Sequence, residues 1–144
     1  MSEPPRSYKL LEELCRAQDR YAFITQRLAR AGIESFNLNQ GDARNTVCRF
    51  YRDEKPRTRY IKFLAAHYDT VPGAVGANDN LASVAQLLYL AEKLRQQRYQ
   101  GDLAIAFLDK EELMGQTKEG HGLKDSGGYK LGDLFRKRGI NTGL

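Results

Sequence analysis

The 144-residue chain contains only two cysteines, and no apolar run in it approaches the ~20 residues that a membrane-spanning helix needs. Cys15 and Cys48 form no Cys-x-x-Cys pair, so the sequence gives no support for a thiolate zinc site or a redox couple. The first residues also lack a charged and then apolar leader. We therefore expect free thiols in a cytoplasmic protein that is neither exported nor embedded in a membrane.

Blocks of five or more like charges are also lacking, although 23 Lys and Arg against 18 Asp and Glu leave a net charge of +5. Basic residues do cluster among aromatic residues at positions 49–62, a composition found in nucleic-acid-binding stripes. Asp53 and Glu54 interrupt this cluster, and a charged strand that discourages strand addition explains it better. We expect no nucleic-acid partner and no membrane partner.

The apolar residues, 41% of the chain when alanine, tyrosine and cysteine are counted, are enough for one domain over residues 1–144. Their spacing predicts one amphipathic helix from Tyr8 to Ala31, ended by a left-handed Gly32, and then a short strand over 33–39. The β-forming residues at 45–51 and 59–66 flank a polar segment and predict a hairpin. Weak helical periodicity returns around Leu131.

Two nearly continuous apolar stretches, residues 60–66 and 103–108, predict strands covered on both faces. The helical pattern between them, from Leu81 to about Gln97, has polar residues 78–80 in position to cap its start. A strand, a helix and a strand in this order predict a parallel crossover unit. The segment Val71-Pro72-Gly73 has the composition of a tight turn after the first strand.

Polar side chains follow both of these strands. The first strand is followed by His67, Asp69 and Asp79, and the second by Asp109, Glu111 and Glu112. Open α/β sheets place ligands at the carboxyl ends of their strands, and imidazole and carboxylate groups are ligands that suit zinc. The sequence therefore predicts a metal site at this end of the sheet.

Three short runs carry a family resemblance. Residues 66–71 read Ala-His-Tyr-Asp-Thr-Val, residues 76–80 read Gly-Ala-Asn-Asp-Asn, and residues 109–112 read Asp-Lys-Glu-Glu. In this order they resemble the M28 family of zinc-dependent aminopeptidases and carboxypeptidases, over roughly residues 8 to 115. The related M20 peptidases share a similar first run but place their next metal-binding Asp much further along the chain.

The resemblance implies a three-layer α/β/α sandwich with a mixed, largely parallel sheet of the zinc exopeptidase type. It makes His67 a ligand of one zinc ion, Asp79 the carboxylate that bridges two zinc ions, and Glu112 a ligand of the other. Glu111 would be the general base, and Asp69 would accept a hydrogen bond from the His67 ring. A cis peptide bond after Asp79 and a peptide or aminoacyl substrate are also implied.

The remaining family ligands, a further Asp and a second His, are harder to place. Only Asp125, Asp133 and His121 are available after Glu112, and they lie in or beside a glycine-rich segment that looks like an insertion. We expect His121 to be an exposed loop histidine. The chain is thus expected to represent a truncated, N-terminal part of the catalytic domain that binds zinc weakly and turns over little, with self-association as a possible way to complete the sheet.

Two other functions stay open at this point. Glutaminyl cyclases share the fold with a single zinc ion and catalyse cyclisation, so the same residues are compatible with a transferase. A non-catalytic remnant or binding module is the third possibility. A nucleotide-binding loop at 73–77 is not supported, since neither Gly-x-Gly-x-x-Gly nor a Walker lysine is present.

Overall fold

A computed structural model describes residues 5–50, 60–112, 123–140 and 142–143. Within these ranges the chain forms helices and a mixed sheet. The helices are α1 (Arg6–Arg16), α2 (Arg20–Arg30), α3 (Ala82–Gln96) and α4 (Gly127–Lys137), and the strands are β1 (Ser35–Gln40), β2 (Ala43–Arg49), β3 (Ile61–His67), β4 (Leu103–Leu108) and β5 (Thr142–Gly143). No helix in these ranges is long and apolar enough to cross a membrane.

The strands pair in the order β1-β2-β4-β3-β5. β4 runs parallel to β3 and antiparallel to β2, so the predicted parallel unit of strand, helix and strand is confirmed. The predicted hairpin between 45–51 and 59–66 is wrong, because β4 lies between β2 and β3. The hairpin partner of β2 is β1, across a turn in which Gly41 has φ 62°. Residues 51–59 of the predicted hairpin lie outside the described ranges.

The predicted single helix over 8–31 is also wrong, because the chain leaves the helical conformation at Ala17, where ψ is 128°. Asp19 then begins α2, since its carboxylate accepts a hydrogen bond of 3.0 Å from the Ala22 N–H. The break lets both short helices bury their apolar stripes against α3 and the sheet. Gly32 follows α2 with φ 67°, as predicted.

The core has two parts, one on each face of the sheet. On one face, Ile105 and Phe107 of β4 pack under α1, α2 and α3. On the other face, Ala104 and Ala106 pack against Leu131 of α4. Helices therefore cover both faces of a mixed sheet, and the predicted three-layer α/β/α architecture is confirmed.

Strand β3 is less covered than its apolar sequence predicts. Ala66 is buried, but Leu64 and Ala65 in the middle of the strand are exposed. Within the described residues, β5 pairs only with Ile61 and Lys62, so no strand lies beyond the middle of β3. The expectation that β3 is covered on both faces along its length is wrong for this reason.

The start of α3 also differs from the prediction. None of the polar side chains at 78–80 caps this helix, because the backbone is kinked before it, with non-helical φ and ψ angles at Asp79 and Asn80. In this segment the Leu81 N–H donates to the Gly76 carbonyl oxygen at 3.1 Å. The positions of these polar side chains are therefore set by the backbone of this segment and not by hydrogen bonds to the N-terminus of α3.

Candidate metal centre

The end of β3 is held level with the end of β4. His67 is the last residue of β3 and pairs in register with Leu108, the last residue of β4. One residue further on, the Tyr68 N–H donates to the Leu108 carbonyl oxygen at 3.0 Å. Parallel strands that end together bring the residues following each of them to one edge of the sheet. His67 and the segment 109–112 therefore meet there.

A tight turn returns the chain from β3 to the same edge. The Ala74 N–H donates to the Val71 carbonyl oxygen at 3.0 Å, with Pro72 and Gly73 at the two corners and φ 84° at the glycine. This turn confirms the one predicted from sequence. The peptide bond between Asp79 and Asn80 is cis, as the resemblance implied.

Three side chains converge at this edge. The His67 Nε2 atom lies 3.2 Å from Asp79 Oδ1 and 3.9 Å from Glu112 Oε1. One donor atom from each residue lies within 4.8 Å of the others. The Asp79 side chain is 76% exposed, whereas those of His67 and Glu112 are mostly covered. The cluster is therefore open to solvent on the Asp79 side.

The hydrogen bond on the other ring nitrogen fixes what His67 offers to this cluster. His67 Nδ1 lies 3.1 Å from the Asp69 carbonyl oxygen, which only accepts, so Nδ1 carries a proton. In the neutral ring, Nε2 then presents a lone pair toward the Asp79 carboxylate. His67 Nε2 and Asp79 Oδ1 are then two acceptors only 3.2 Å apart. A positive charge is needed between them, and either a second ring proton or a metal ion supplies it. A donor set of one imidazole and two carboxylates fits zinc.

Asp69 connects the two ends of this site. Its Oδ2 atom accepts a hydrogen bond of 2.8 Å from the Glu112 N–H. Its Oδ1 atom lies 3.4 Å from His67 Nδ1, further away than the carbonyl oxygen of the same residue. The carboxylate of Asp69 thus holds the backbone of Glu112, while its carbonyl oxygen orients the ring of His67.

Glu111, the neighbour of Glu112 in sequence, contacts the N-terminus of α4. Its Oε1 atom accepts a hydrogen bond of 2.5 Å from the Gly128 N–H in the first turn of that helix. The next N–H in the helix, that of Tyr129, donates to Ser126 Oγ at 3.2 Å. The carboxylate predicted to be the general base is thus anchored through one oxygen to a helix N-terminus.

Comparison with protein families gives a match to the model of peptidase family M28 over residues 45–133, more than half of the chain. The chain belongs to peptidase family M28. The match contains every residue of the cluster and also Glu111. The search of curated proteins gave no match.

Solved structures share the fold of this M28 chain. A leucine aminopeptidase precursor from Bacteroides thetaiotaomicron is 23% identical with TM-score 0.56, over 72% of this chain and 46% of that one. LapB from Legionella pneumophila is 18% identical with TM-score 0.66, over 97% and 41%. A glutaminyl cyclase from Macrostomum lignano is 22% identical with TM-score 0.63, over 93% and 46%. The M28 chain thus spans less than half the length of these structures.

The other predicted metal-ligand candidates of the M28 chain do not join the cluster within the described residues. Asp133 lies on α4, where Arg136 and Lys137 each contact its carboxylate at 2.6 Å and lower the pKa of that group. Asp125 lies in a short 3-10 turn before α4. His121 falls outside the described ranges.

Sequence patterns missed two residues that shape this site in the M28 chain. Arg20 donates to the Tyr68 carbonyl oxygen, to Thr70 Oγ1 and to the Val75 carbonyl oxygen, at 2.9 to 3.2 Å. It thereby fastens α2 to the loop between His67 and Asp79. An arginine in a helix that is rich in arginine gives no signal for this role. The second missed residue, Asn45, is fully buried on β2, but Arg44 and Thr46 beside it are also polar, so the sequence gives no signal of this burial.

Proposed function

We propose that this protein is a zinc-dependent exopeptidase of the aminopeptidase type, which hydrolyses peptide bonds next to a chain terminus. The observation that carries the proposal is the convergence of His67, Asp79 and Glu112, each with one donor atom within 4.8 Å of the others. Membership of peptidase family M28 supports hydrolysis as the reaction. A peptide or aminoacyl compound is the proposed substrate.

His67, Asp79 and Glu112 would hold the zinc ion. Ligand atoms bound at ~2.0–2.2 Å in a tetrahedron lie roughly 3.3–3.6 Å apart. The contacts of 3.2 and 3.9 Å from His67 Nε2 are close to this spacing and support one shared ion. The two-zinc site that the resemblance implies stays a prediction. Within the described residues, no candidate for its remaining ligands joins the cluster. A bound zinc ion would supply Lewis-acid chemistry, polarising the substrate carbonyl and favouring deprotonation of water.

Glu111 is the proposed catalytic residue. Its carboxylate would accept a proton from the attacking water and pass that proton to the leaving amine. The hydrogen bond from the Gly128 N–H fixes one of its oxygens, so the proton transfers fall to the other. Asp69 is a positioning residue in this scheme, because it fixes the backbone of Glu112 beside Glu111. The exposed side of Asp79 is the direction from which substrate would approach.

Glu111→Gln tests this role most directly, because it keeps the size of the side chain and removes the proton acceptor. We expect hydrolysis of an aminoacyl p-nitroanilide to fall by about 10²- to 10⁴-fold. The dissociation constant for zinc, measured by competition with a chromophoric chelator, should stay within about twofold, since Glu111 is not one of the three ligands. Glu34→Gln, at an exposed glutamate paired with Arg49, is the matched control. Turnover retained in Glu111→Gln would remove that residue from the mechanism.

A second candidate function is cyclisation of N-terminal glutamine by a glutaminyl-cyclase-like transferase. It is favoured by the geometry of one shared ion and by the glutaminyl cyclase from Macrostomum lignano, whose TM-score of 0.63 is similar to that of LapB. The two functions differ in product. Release of ammonia from a peptide that begins with glutamine would support the cyclase, and release of p-nitroaniline from a leucyl substrate would support the peptidase.

The sequence-based predictions of cytoplasmic location, of weak zinc binding and of a possible homo-oligomer remain proposals. Cys15 and Cys48 are both free thiols, which supports a reducing compartment. A size-exclusion and light-scattering measurement with and without zinc tests self-association. A non-catalytic binding module would be supported if zinc binds and neither substrate is consumed.

A further inference from the structure

A buried side-chain amide joins three elements behind the proposed base. Asn45 of β2 is fully buried. Its Oδ1 atom accepts a hydrogen bond of 3.0 Å from the Asp109 N–H, just after β4. Its Nδ2 atom donates to the Gly127 carbonyl oxygen at 2.9 Å, at the start of α4. One side chain thus fixes the distance between the end of β4 and the N-terminus of α4.

The contact between α4 and β4 is close enough to require glycine. A Cβ atom on Gly127 would lie 2.3 Å from Asn45 Oδ1 and 2.3 Å from the Asp109 carbonyl oxygen. Instead, the Gly127 N–H donates to that carbonyl oxygen at 2.8 Å. The backbone of α4 is therefore held directly against the backbone of the segment that leads to Glu111.

This contact sets the direction of the next N–H along the helix. The Gly127 N–H is satisfied by Asp109 and the Tyr129 N–H by Ser126, so the Gly128 N–H between them is aimed at Glu111 Oε1. An amide bonded to a carboxylate in this way restricts the rotation of the carboxylate. The orientation of Glu111 is thus coupled, through one turn of α4, to Asn45.

We propose that Asn45 is a positioning residue for the reaction, which acts on Glu111 through the first turn of α4. The inference rests on the proposed function of Glu111 as the general base. It extends that function to a residue outside the metal cluster, on a strand that contributes nothing to the zinc ligands. Loss of the link should disturb proton transfer and leave zinc binding intact.

Asn45→Asp tests the link with the smallest change of shape. The variant keeps an acceptor for the Asp109 N–H but replaces the donor to the Gly127 carbonyl oxygen with a second acceptor. We expect kcat to fall by about tenfold to a hundredfold, as is typical when a supporting hydrogen bond is lost. The KM and the dissociation constant for zinc should stay within about twofold. Thr46→Val is the matched control, since Thr46 is equally buried, follows Asn45 on β2 and bonds Asn37 instead of α4.

Amide hydrogen exchange supplies a measurement that needs no turnover. In the unmodified chain the Gly128 amide should be protected by Glu111, and in Asn45→Asp it should exchange about tenfold faster or more, as expected for local opening. The Ile105 amide in the central strand should keep its protection. Gly127→Ala acts from the helix side and should give the same pattern, so the test does not depend on one variant folding.

Unchanged Gly128 exchange in both variants overturns the proposal. Equal loss of protection at Gly128 and Ile105 also overturns it, because Asn45 would then act on the whole fold. A kcat that falls as far in Thr46→Val as in Asn45→Asp has the same meaning. If the unmodified chain shows no turnover, the proposed function fails, while the exchange pattern still decides whether Asn45 controls the Glu111 contact.

Discussion

Replacing Asp69 by alanine separates the two connections that this residue makes at the proposed zinc site. The side chain is lost, and with it the hydrogen bond of 2.8 Å from the Glu112 N–H. The Asp69 carbonyl oxygen remains and still accepts from His67 Nδ1 at 3.1 Å. Asp69→Ala should therefore disturb the position of Glu112 and leave the His67 ring oriented.

The size of the effect follows from the kind of hydrogen bond that is lost. A hydrogen bond to a charged group contributes about 1.5–3 kcal/mol. If this free energy is lost from the metal-bound state, the dissociation constant for zinc rises about tenfold to a hundredfold, at 1.4 kcal/mol for each factor of ten. Asp69→Asn keeps an oxygen that can accept from the Glu112 N–H, so it should lose less.

The measurement is a zinc titration against a chromophoric chelator for each variant. Asp133→Ala, which removes an aspartate engaged by Arg136 and Lys137 on α4, should leave zinc affinity unchanged. A double-mutant cycle with Glu112→Ala should show coupling to Asp69, and a cycle with His67→Ala should show much less. Stronger coupling to His67 than to Glu112, or an affinity of Asp69→Ala within twofold of the unmodified chain, would refute this reasoning.

Three further outcomes are expected from the described contacts. Gly76→Ala should weaken zinc binding in the same titration, because the new Cβ atom would lie 2.0 Å from the methyl carbon of Thr70 and 2.9 Å from the Asp79 carbonyl oxygen. A Cβ atom at Gly73 would meet nothing within 4 Å, so Gly73→Ala should weaken zinc binding less. Asp19→Ala should lower the free energy of unfolding, because α2 loses the hydrogen bond from the Ala22 N–H that caps its N-terminus. Because the Ala22 N–H and then Arg44 lower the pKa of Asp19, this difference should be present above pH 3.8 and vanish as the pH falls further. Burial raises the pKa of Cys48 to about 12. The contribution of its neutral thiol to the free energy of unfolding should therefore be complete below pH 9 and decline as the pH rises toward 12. Cys48→Ala should not show this decline.

The sequence predicted the elements that are fixed by local pattern. The apolar runs that became β3 and β4 were located within a residue or two, because continuous apolar residues ending in polar ones have few alternatives. His67, Asp79 and Glu112 lie together, since parallel neighbouring strands end at one edge, and their role as metal ligands stays a prediction. The Val71–Ala74 turn followed from the fixed φ of proline and the positive φ of glycine.

The predictions that failed depended on contacts between distant residues. Asp19 reads as one more charged position on a long amphipathic helix, and only the Ala22 N–H reveals it as a cap. The hairpin prediction failed because neighbouring strands in sequence are not always neighbours in the sheet, and β4, whose four central residues are buried, has partners on both of its edges. The role of Asn45 involves residues 64 and 82 positions away, which no local pattern encodes.

The position of β4 between β2 and β3 has a consequence for how the chain is made. A ribosome releases both β2 and β3 before the strand that lies between them, so neither can pair with β4 until Leu108 has emerged. At ~5–20 residues per second, the roughly forty residues between the end of β3 and that point take about 2–8 s to translate. For those seconds β3 offers an unpaired edge to other nascent chains, and chaperones at the exit tunnel are best placed to shield it.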